Sequence, residues 1–204
     1  MKFKVLHNAV HQGHKLIAQS LSAGQVAVDA TAGNGHDTLF LAQLVGPEGK
    51  VYAFDIQQQA LDNTKARLAE AGCSGRVELL LIGHEQMKLH VSEPVHAVMF
   101  NLGYLPGTDH QVITQPDNTL KALHGAVQML APGGILSVVV YPGHSGGDQE
   151  AQQVDDWARS LSSQDFAVMR MQFWNRQPTV PYLLVIEKSA KWRIYHEEYE
   201  TTQN

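Results

Sequence analysis

Asp29, Asp37 and Asp55 bracket a glycine turn, and their spacing is that of a site for a nucleotide-like ligand. The stretch Asp29-Ala-Thr-Ala-Gly-Asn-Gly35 follows the apolar run Val26-Ala27-Val28, and Asp55 closes Val51-Tyr52-Ala53-Phe54 twenty residues beyond Gly35. A short hydrophobic strand that runs into glycines and then a helix lets main chain approach a ligand. An acid ending the next strand can take two ribose hydroxyls.

The same residues discriminate between cofactors. A dinucleotide fingerprint needs Gly-x-Gly-x-x-Gly, whereas the register here is Gly33-Asn34-Gly35-His36-Asp37-Thr38, without the third glycine. Asp29 and Asp37 would repel a diphosphate held in that turn, so a cationic ligand fits better. S-adenosylmethionine joins an ammonium and a sulfonium to adenosine, and on charge grounds it is preferred to NAD. Candidate cofactor contacts are Asp29, Thr31, Gly33, Asn34, Gly35, Asp37 and Thr38 around the turn, and Asp55, Ile56 and Gln57 after the second strand. Gly83, His84 and Glu85 after the third strand could reach the adenine edge; capping of the helix that follows is an equal explanation for His84 and Glu85.

The reaction is argued from the fourth strand, whose apolar Val98-Met99-Phe100 ends in Asn101-Leu-Gly-Tyr104-Leu-Pro106. This resembles the Asn-Pro-Pro-aromatic loop of amino-group methyltransferases, with Leu102-Gly103 in place of the two prolines. That resemblance implies that the Asn101 side chain accepts a hydrogen bond from the target nitrogen, beside the cofactor, while Tyr104 stacks on a base. Methyl transfer needs a neutral amine lone pair in line with the methyl group, so positioning supplies most of the rate. An acceptor arriving as an ammonium must lose a proton, to Asp109, His110 or His144.

These residues must be carried by a sheet whose strand ends meet along one rim. Hydrophobic periodicity predicts a leading helix over 4–22, and then strand 26–30, helix 37–45, strand 51–55, helix 57–71, strand 76–82, a short segment at 85–89 and strand 95–100. A polar loop over 103–118, helix 118–130, a turn at 131–134 and strand 135–141 follow, then the glycine-rich Pro142-Gly-His-Ser-Gly-Gly147, helix 148–162, and strands 166–174 and 181–188. The alternation predicts a Rossmann-like α/β fold: seven strands, mostly parallel, with helices on both faces and one antiparallel strand from pairing of the last two. Residues 1–204 read as one domain, with 1–24 a leading helix over the cofactor side and 189–204 a tail.

Composition narrows the class. A chain of 204 residues, 44% hydrophobic, suffices for one filled core. Cys73 is the single cysteine, which excludes an internal disulfide framework and a thiolate-rich zinc site; it reads as a small loop residue. No metal site is expected: among eleven histidines, His7, His11 and His14 share helical spacing but lack partner ligands. No window of eighteen uninterrupted apolar residues occurs, so a cytoplasmic protein without membrane contact is expected. The net charge of −5 gives no general attraction to nucleic acid. Any such contact would be local: Arg170, Arg176, Lys188, Lys191 and Arg193 gather toward the C-terminal end as a candidate phosphate-contacting patch, with an ordinary solvated surface an equal explanation.

Four motifs in order, Asp29-Ala-Thr-Ala-Gly-Asn-Gly-His-Asp-Thr38, Phe54-Asp-Ile-Gln57, Phe100-Asn-Leu-Gly-Tyr-Leu-Pro-Gly107 and Tyr141-Pro-Gly-His-Ser-Gly-Gly147, resemble the rRNA methylase family of class I methyltransferases over about residues 5–188. The resemblance implies methylation of the aminomethyl group on the wobble 2-thiouridine of tRNA, with the anticodon region as partner; a homodimer is compatible with it. The chain departs from the family pattern at Thr108-Asp109-His110, where Gly-Asp-Lys is expected, and in the separation of Pro178 from Pro181. The alternatives are a methyltransferase acting on another RNA or a small-molecule amine, and a binding module or NAD-type domain without methyl chemistry.

Overall fold

Alternating strands and helices produce a seven-stranded sheet in the computed structural model, which describes residues 6–103, 116–143 and 146–191. The strands are β1 (Val26–Asp29), β2 (Lys50–Asp55), β3 (Val77–Leu81), β4 (Val95–Asn101), β5 (Leu130–Val140), β6 (Phe166–Met171) and β7 (Tyr182–Lys188). The helices are α1 (Ala9–Ser20), α2 (His36–Val45), α3 (Gln58–Glu70), α4 (Met87–His90), α5 (Pro116–Met129) and α6 (Gly147–Ser160). No helix among the described residues is long and apolar enough to cross a membrane.

The strand order is β3-β2-β1-β4-β5-β7-β6. Six strands run parallel and β7 alone is antiparallel, because it returns between β5 and β6 and pairs with both. The expected hairpin of the last two strands therefore forms, with its second strand inserted into the sheet. From β1 the chain passes to β2 on one side and later to β4 on the other, and the crevice at this reversal lies beyond the strand ends carrying Asp29, Asp55 and Asn101.

Both faces of the central strands are covered, which explains their continuous apolar runs. Ala27, Val51, Ala97, Met99 and Val139 face Ile17 of α1, Leu41 and Val45 of α2 and Leu68 of α3. Their neighbours Val28, Phe54, Val98, Phe100 and Val138 face Met87 of α4, Leu123 and Ala126 of α5 and Val154 and Trp157 of α6. Cys73, expected in a loop as a small residue, is buried against the first of these cores.

Several element ends move inward from the sequence expectation. Helix α1 starts at Ala9 rather than residue 4, since the Asn8 side chain accepts from the His11 N–H at 2.9 Å and caps it. The turn expected at 131–134 is instead a bulged entry into β5, with a register shift opposite Val95–Ala97 and Gly133 at φ +76°. Strand β6 stops at Met171, and Phe173–Arg176 form a turn.

Among the described residues, two of the C-terminal cations are drawn away from a shared patch. Lys188 is buried and its Nζ donates to the Leu130 carbonyl at 2.7 Å; burial holds its pKa below the ordinary lysine value. Arg170 pairs with Asp155 at 2.5 Å and lies over the Tyr182 ring. Arg193 lies outside the described residues.

Helix α3 clamps the glycine turn from below. Thr64 Oγ1 donates to the Gly33 carbonyl at 3.1 Å, Arg67 Nε to the Asn34 carbonyl at 2.7 Å, and Asn63 to the Asn34 side chain at 2.9 Å. Gly35 has φ +75°, and an added Cβ would lie 2.8 Å from Thr64 Cα. Gly35→Ala should therefore cost about 2 kcal/mol or more of stability, from left-handed strain and main-chain overlap together. Urea denaturation of variant and parent checks this, and an unchanged midpoint would contradict it.

Candidate active site

Strand ends β1, β2 and β4, the segment after β3 and the start of α1 enclose a cavity of about 490 Å³. Asp55 organises its floor. Its Oδ2 accepts from the Gly33 N–H and its Oδ1 from the Gln57 N–H, both at 2.9 Å, so the carboxylate is fixed while each oxygen keeps a lone pair for a ligand hydroxyl. Ile56, 59% exposed, follows at the cavity wall, an apolar surface suited to covering by a flat base.

His84 closes the far end. Its Nδ1 lies 3.2 Å from the Ala30 carbonyl, which can only accept, so Nδ1 carries the proton. Burial lowers its pKa, more than the Ala30 hydrogen bond and the neighbouring acids raise it, which favours the neutral ring with Nε2 as an acceptor. The Phe100 ring packs against it. Glu85 folds over Gly83, where a Cβ would overlap its carboxylate.

Asp29 stands apart from the expectation. It is fully buried beneath the turn and does not line the cavity, accepting instead from Thr38 Oγ1 at 2.6 Å and the Thr31 N–H at 3.1 Å. Burial, reinforced by the adjacent Asp37, pushes its pKa up to about 7. Thr38 and Gly35, also expected at the cofactor, are likewise support: Thr38 is buried on Asp29 and Gly35 packs on Thr64. The cause is geometric: Asp29 closes β1 beneath the turn with Thr38 packed on it, so these two side chains face inward while Thr31, Asn34 and Asp37 face the cavity.

Asp37 does reach the cavity, with its side chain 7% exposed. Its Oδ1 lies 2.6 Å from His14 Nε2 and its Oδ2 accepts from Asn101 Nδ2 at 2.5 Å. The Asn101 main-chain N–H donates to Thr31 Oγ1 at 2.8 Å. Asn101 Oδ1 is buried and, among the described residues, has no hydrogen-bond partner. A buried acceptor without a partner is costly unless a ligand supplies the donor.

The cavity thus brings together Thr31, Gly33, Asn34, Asp37, Asp55, Ile56, Gln57, Gly83, His84, Glu85 and Asn101. Tyr104, Asp109 and His144, with His110, lie outside the described residues. Sequence reasoning missed Asn8 and Val10 at the start of α1 and Asn118 of α5, which also line it. Asn8 carried a signal as a helix cap. Asn118 carried none, because its helix reaches the cavity only through packing. His14 turns to Asp37 and stacks on Phe40, whereas His7 faces His11, so the three histidines do not converge.

Residues 51–187 match the family described as "Putative rRNA methylase". The chain belongs to this family. It is 39% identical over 190 residues to the chloroplastic tRNA (mnm(5)s(2)U34)-methyltransferase of Arabidopsis thaliana, covering 88% of this chain and 69% of that one. Among solved structures, the "putative rRNA-methylase" of Clostridium thermocellum is 42% identical with a TM-score of 0.88, over 90% of this chain and 99% of that chain. A "putative methyltransferase" from Streptococcus mutans, in complex with SAH, is 40% identical with a TM-score of 0.83, over the same shares of the two chains.

As a member of this methylase family, the chain is an S-adenosylmethionine-dependent methyltransferase, and a NAD-type or non-catalytic domain is set aside. The residues fit that cofactor. Asp55 offers a rigid pair of acceptors for a ribose diol, Ile56 an apolar wall and His84 an acceptor for an amine edge, while Asp37 brings an acid for a cation.

Two outcomes follow from this geometry. Asp55→Ala should weaken S-adenosylhomocysteine binding by about 10-fold or more, through loss of charged hydrogen bonds and of the turn they fix, as read by calorimetry. For Asp29, the folded state keeps its proton up to about pH 7, whereas a free aspartate side chain loses it near 3.8. Between these values the folded state binds more protons, so this contribution to stability is full at low pH and lost as pH rises to neutrality. Asp29→Asn should match the parent's thermal stability near pH 4 and exceed it near pH 8. An equal offset at both would show that Asp29 does not change its protonation on unfolding.

Proposed function

We propose that the chain transfers a methyl group to the aminomethyl nitrogen of wobble 5-aminomethyl-2-thiouridine in the anticodon region of tRNA, in the cytoplasm. The observation that carries this reading is Asn101: its amide nitrogen is committed to Asp37, and its buried Oδ1 has no partner among the described residues. Such a group receives an N–H from an acceptor amine and points the nitrogen lone pair elsewhere. The Arabidopsis relative, whose name states the mnm(5)s(2)U34 reaction, supports this acceptor.

S-adenosylmethionine, when bound, supplies an electrophilic methyl group on a sulfonium. The protein's part is orientation and dry surroundings. Asp55 and the glycine turn hold the nucleoside end, and Asn101 holds the amine so that near-attack geometry replaces a chance encounter. In this reading Tyr104 stacks on the target base, and Asp109 or His144 takes the proton that the ammonium must lose before its nitrogen can attack.

Contact with RNA is expected along the same rim. The β6–β7 connection lies at the carboxyl end of β5, where Tyr182 pairs with Val140 and Thr179 approaches Gly143. In it Trp174 is fully exposed, and the Arg176 guanidinium lies 4.0 Å from the Phe173 ring centroid. Aromatic and guanidinium planes are the surfaces on which unpaired bases stack, and they offset the lack of overall positive charge.

Total tRNA from a strain lacking this chain should accumulate unmethylated aminomethyl-thiouridine, measured by nucleoside mass spectrometry; an unchanged nucleoside profile would overturn the assignment. With purified enzyme and undermodified tRNA, Asn101→Ala should keep cofactor affinity within about threefold while lowering kcat by about 10- to 100-fold. Label transferred only to small amines of a metabolite extract would favour the small-molecule acceptor.

A further inference from the structure

Helix α1 contributes a side chain to the site that neither the glycine turn nor the strand rims explain. His14 lies parallel to Phe40, with ring centroids 4.0 Å apart and planes 12° from each other, and it presents Nε2 to Asp37 Oδ1 at 2.6 Å. The other Asp37 oxygen holds Asn101 Nδ2. The chain of contacts runs from the α1 imidazole through a nearly buried carboxylate to the amide at the end of β4.

The direction of each bond follows from what each group can do. A carboxylate only accepts, so Asp37 draws the NH2 end of Asn101 and leaves the carbonyl end for the cavity. Without it, the amide could rotate by 180° and present donors to an amine that itself needs an acceptor. Asp37 in turn has rotational freedom about its own side-chain bonds, and a bond at each oxygen removes that freedom. On the His14 side the same rule makes Nε2 the donor, and the Phe40 ring fixes the plane of the imidazole. Thr31 Oγ1 fixes the Asn101 main chain independently, through its N–H at 2.8 Å.

We propose that His14 and Asp37 are positioning residues for methyl transfer, holding the Asn101 amide in the single orientation that offers Oδ1 to the acceptor nitrogen. The proposal rests on the reading of Asn101 as the group that receives the amine. Under it, α1 is part of the machinery for turnover, and its link to Asn101 passes through one carboxylate. The His14 side chain is 24% exposed, and its imidazole is held by Phe40 on one side and by Asp37 on another.

A double-mutant cycle on the full chain tests this, with kcat and KM for undermodified tRNA and calorimetric affinity for S-adenosylhomocysteine as readouts. His14→Ala should lower kcat by about 5- to 20-fold, with KM and S-adenosylhomocysteine affinity within about threefold of the parent. His14→Gln, whose amide can still donate to Asp37, should recover most of the loss. The variant carrying both His14→Ala and Asn101→Ala should be no slower than Asn101→Ala alone, because His14 has nothing left to orient. Losses that multiply in the double variant, or a drop in S-adenosylhomocysteine affinity as large as the drop in kcat, would overturn the positioning role. If Asn101→Ala itself turns over normally, the reading of Asn101 fails, and that outcome is distinct from multiplying losses. Should His14→Ala fail to fold, Phe40→Leu, which removes the stacking face and keeps the imidazole, carries the same expectations.

Discussion

Three aspartates meet at the carboxyl ends of β1 and β2, and how their mutual repulsion is relieved sets the rest of the site. Asp29, fully buried, is the one pushed toward the protonated form, and its hydrogen bonds go to Thr31 and Thr38 of the turn. Asp55 is stabilised by two main-chain N–H groups. Asp37 is bonded at both oxygens, by an imidazole and an amide. Each arrangement commits backbone or side chains from a different element, so three acids can crowd one turn only where α1, α2 and β4 come together.

The same constraint divides the cavity into two functional halves. The glycine turn is kept in place by Asp55 from one side and by α3 from the other, the latter also through the Asn34 side chain. That half suits the nucleoside of the cofactor. In the proposed reading the acceptor half is the end of β4, where Asn101 closes a strand buried on both faces and is therefore held by a rigid element. A positioning reaction needs this rigidity, since a displaced amide would lose the in-line geometry on which the rate depends. Insertion of β7 beside β5 extends the rim further, carrying the Trp174 loop to the carboxyl end of the sheet.

The sheet and the cofactor class were legible because local rules agree with the global fold. Apolar runs mark strands buried on both faces, and Gly33-Asn34-Gly35 with Asp55 at its spacing marks the crevice. Less legible were matters that depend on what packs on what. Asp29 reads in sequence as a cofactor acid, yet its strand position turns it inward. Lys188 reads as surface charge and proves to be an interior donor to Leu130. Ala131-Pro-Gly-Gly134 reads as a turn, but pairing of Leu130 and Ile135 with β4 on either side of it draws it into β5 as a bulge.

The sequence by itself determined the element order, the parallel sheet, the glycine turn and the acid that follows it, because strand and helix periodicity and the special torsions of glycine are local properties. It also marked Asn101 as a polar group ending an apolar strand. Only the tertiary structure decided which acid faces the ligand, which one is buried, and that His14 reaches Asp37 and through it Asn101. Those decisions depend on helix α1 crossing the face of β4 and β5, and on the competition among charges for the few donors placed there. Neither is encoded in the spacing of residues along the chain.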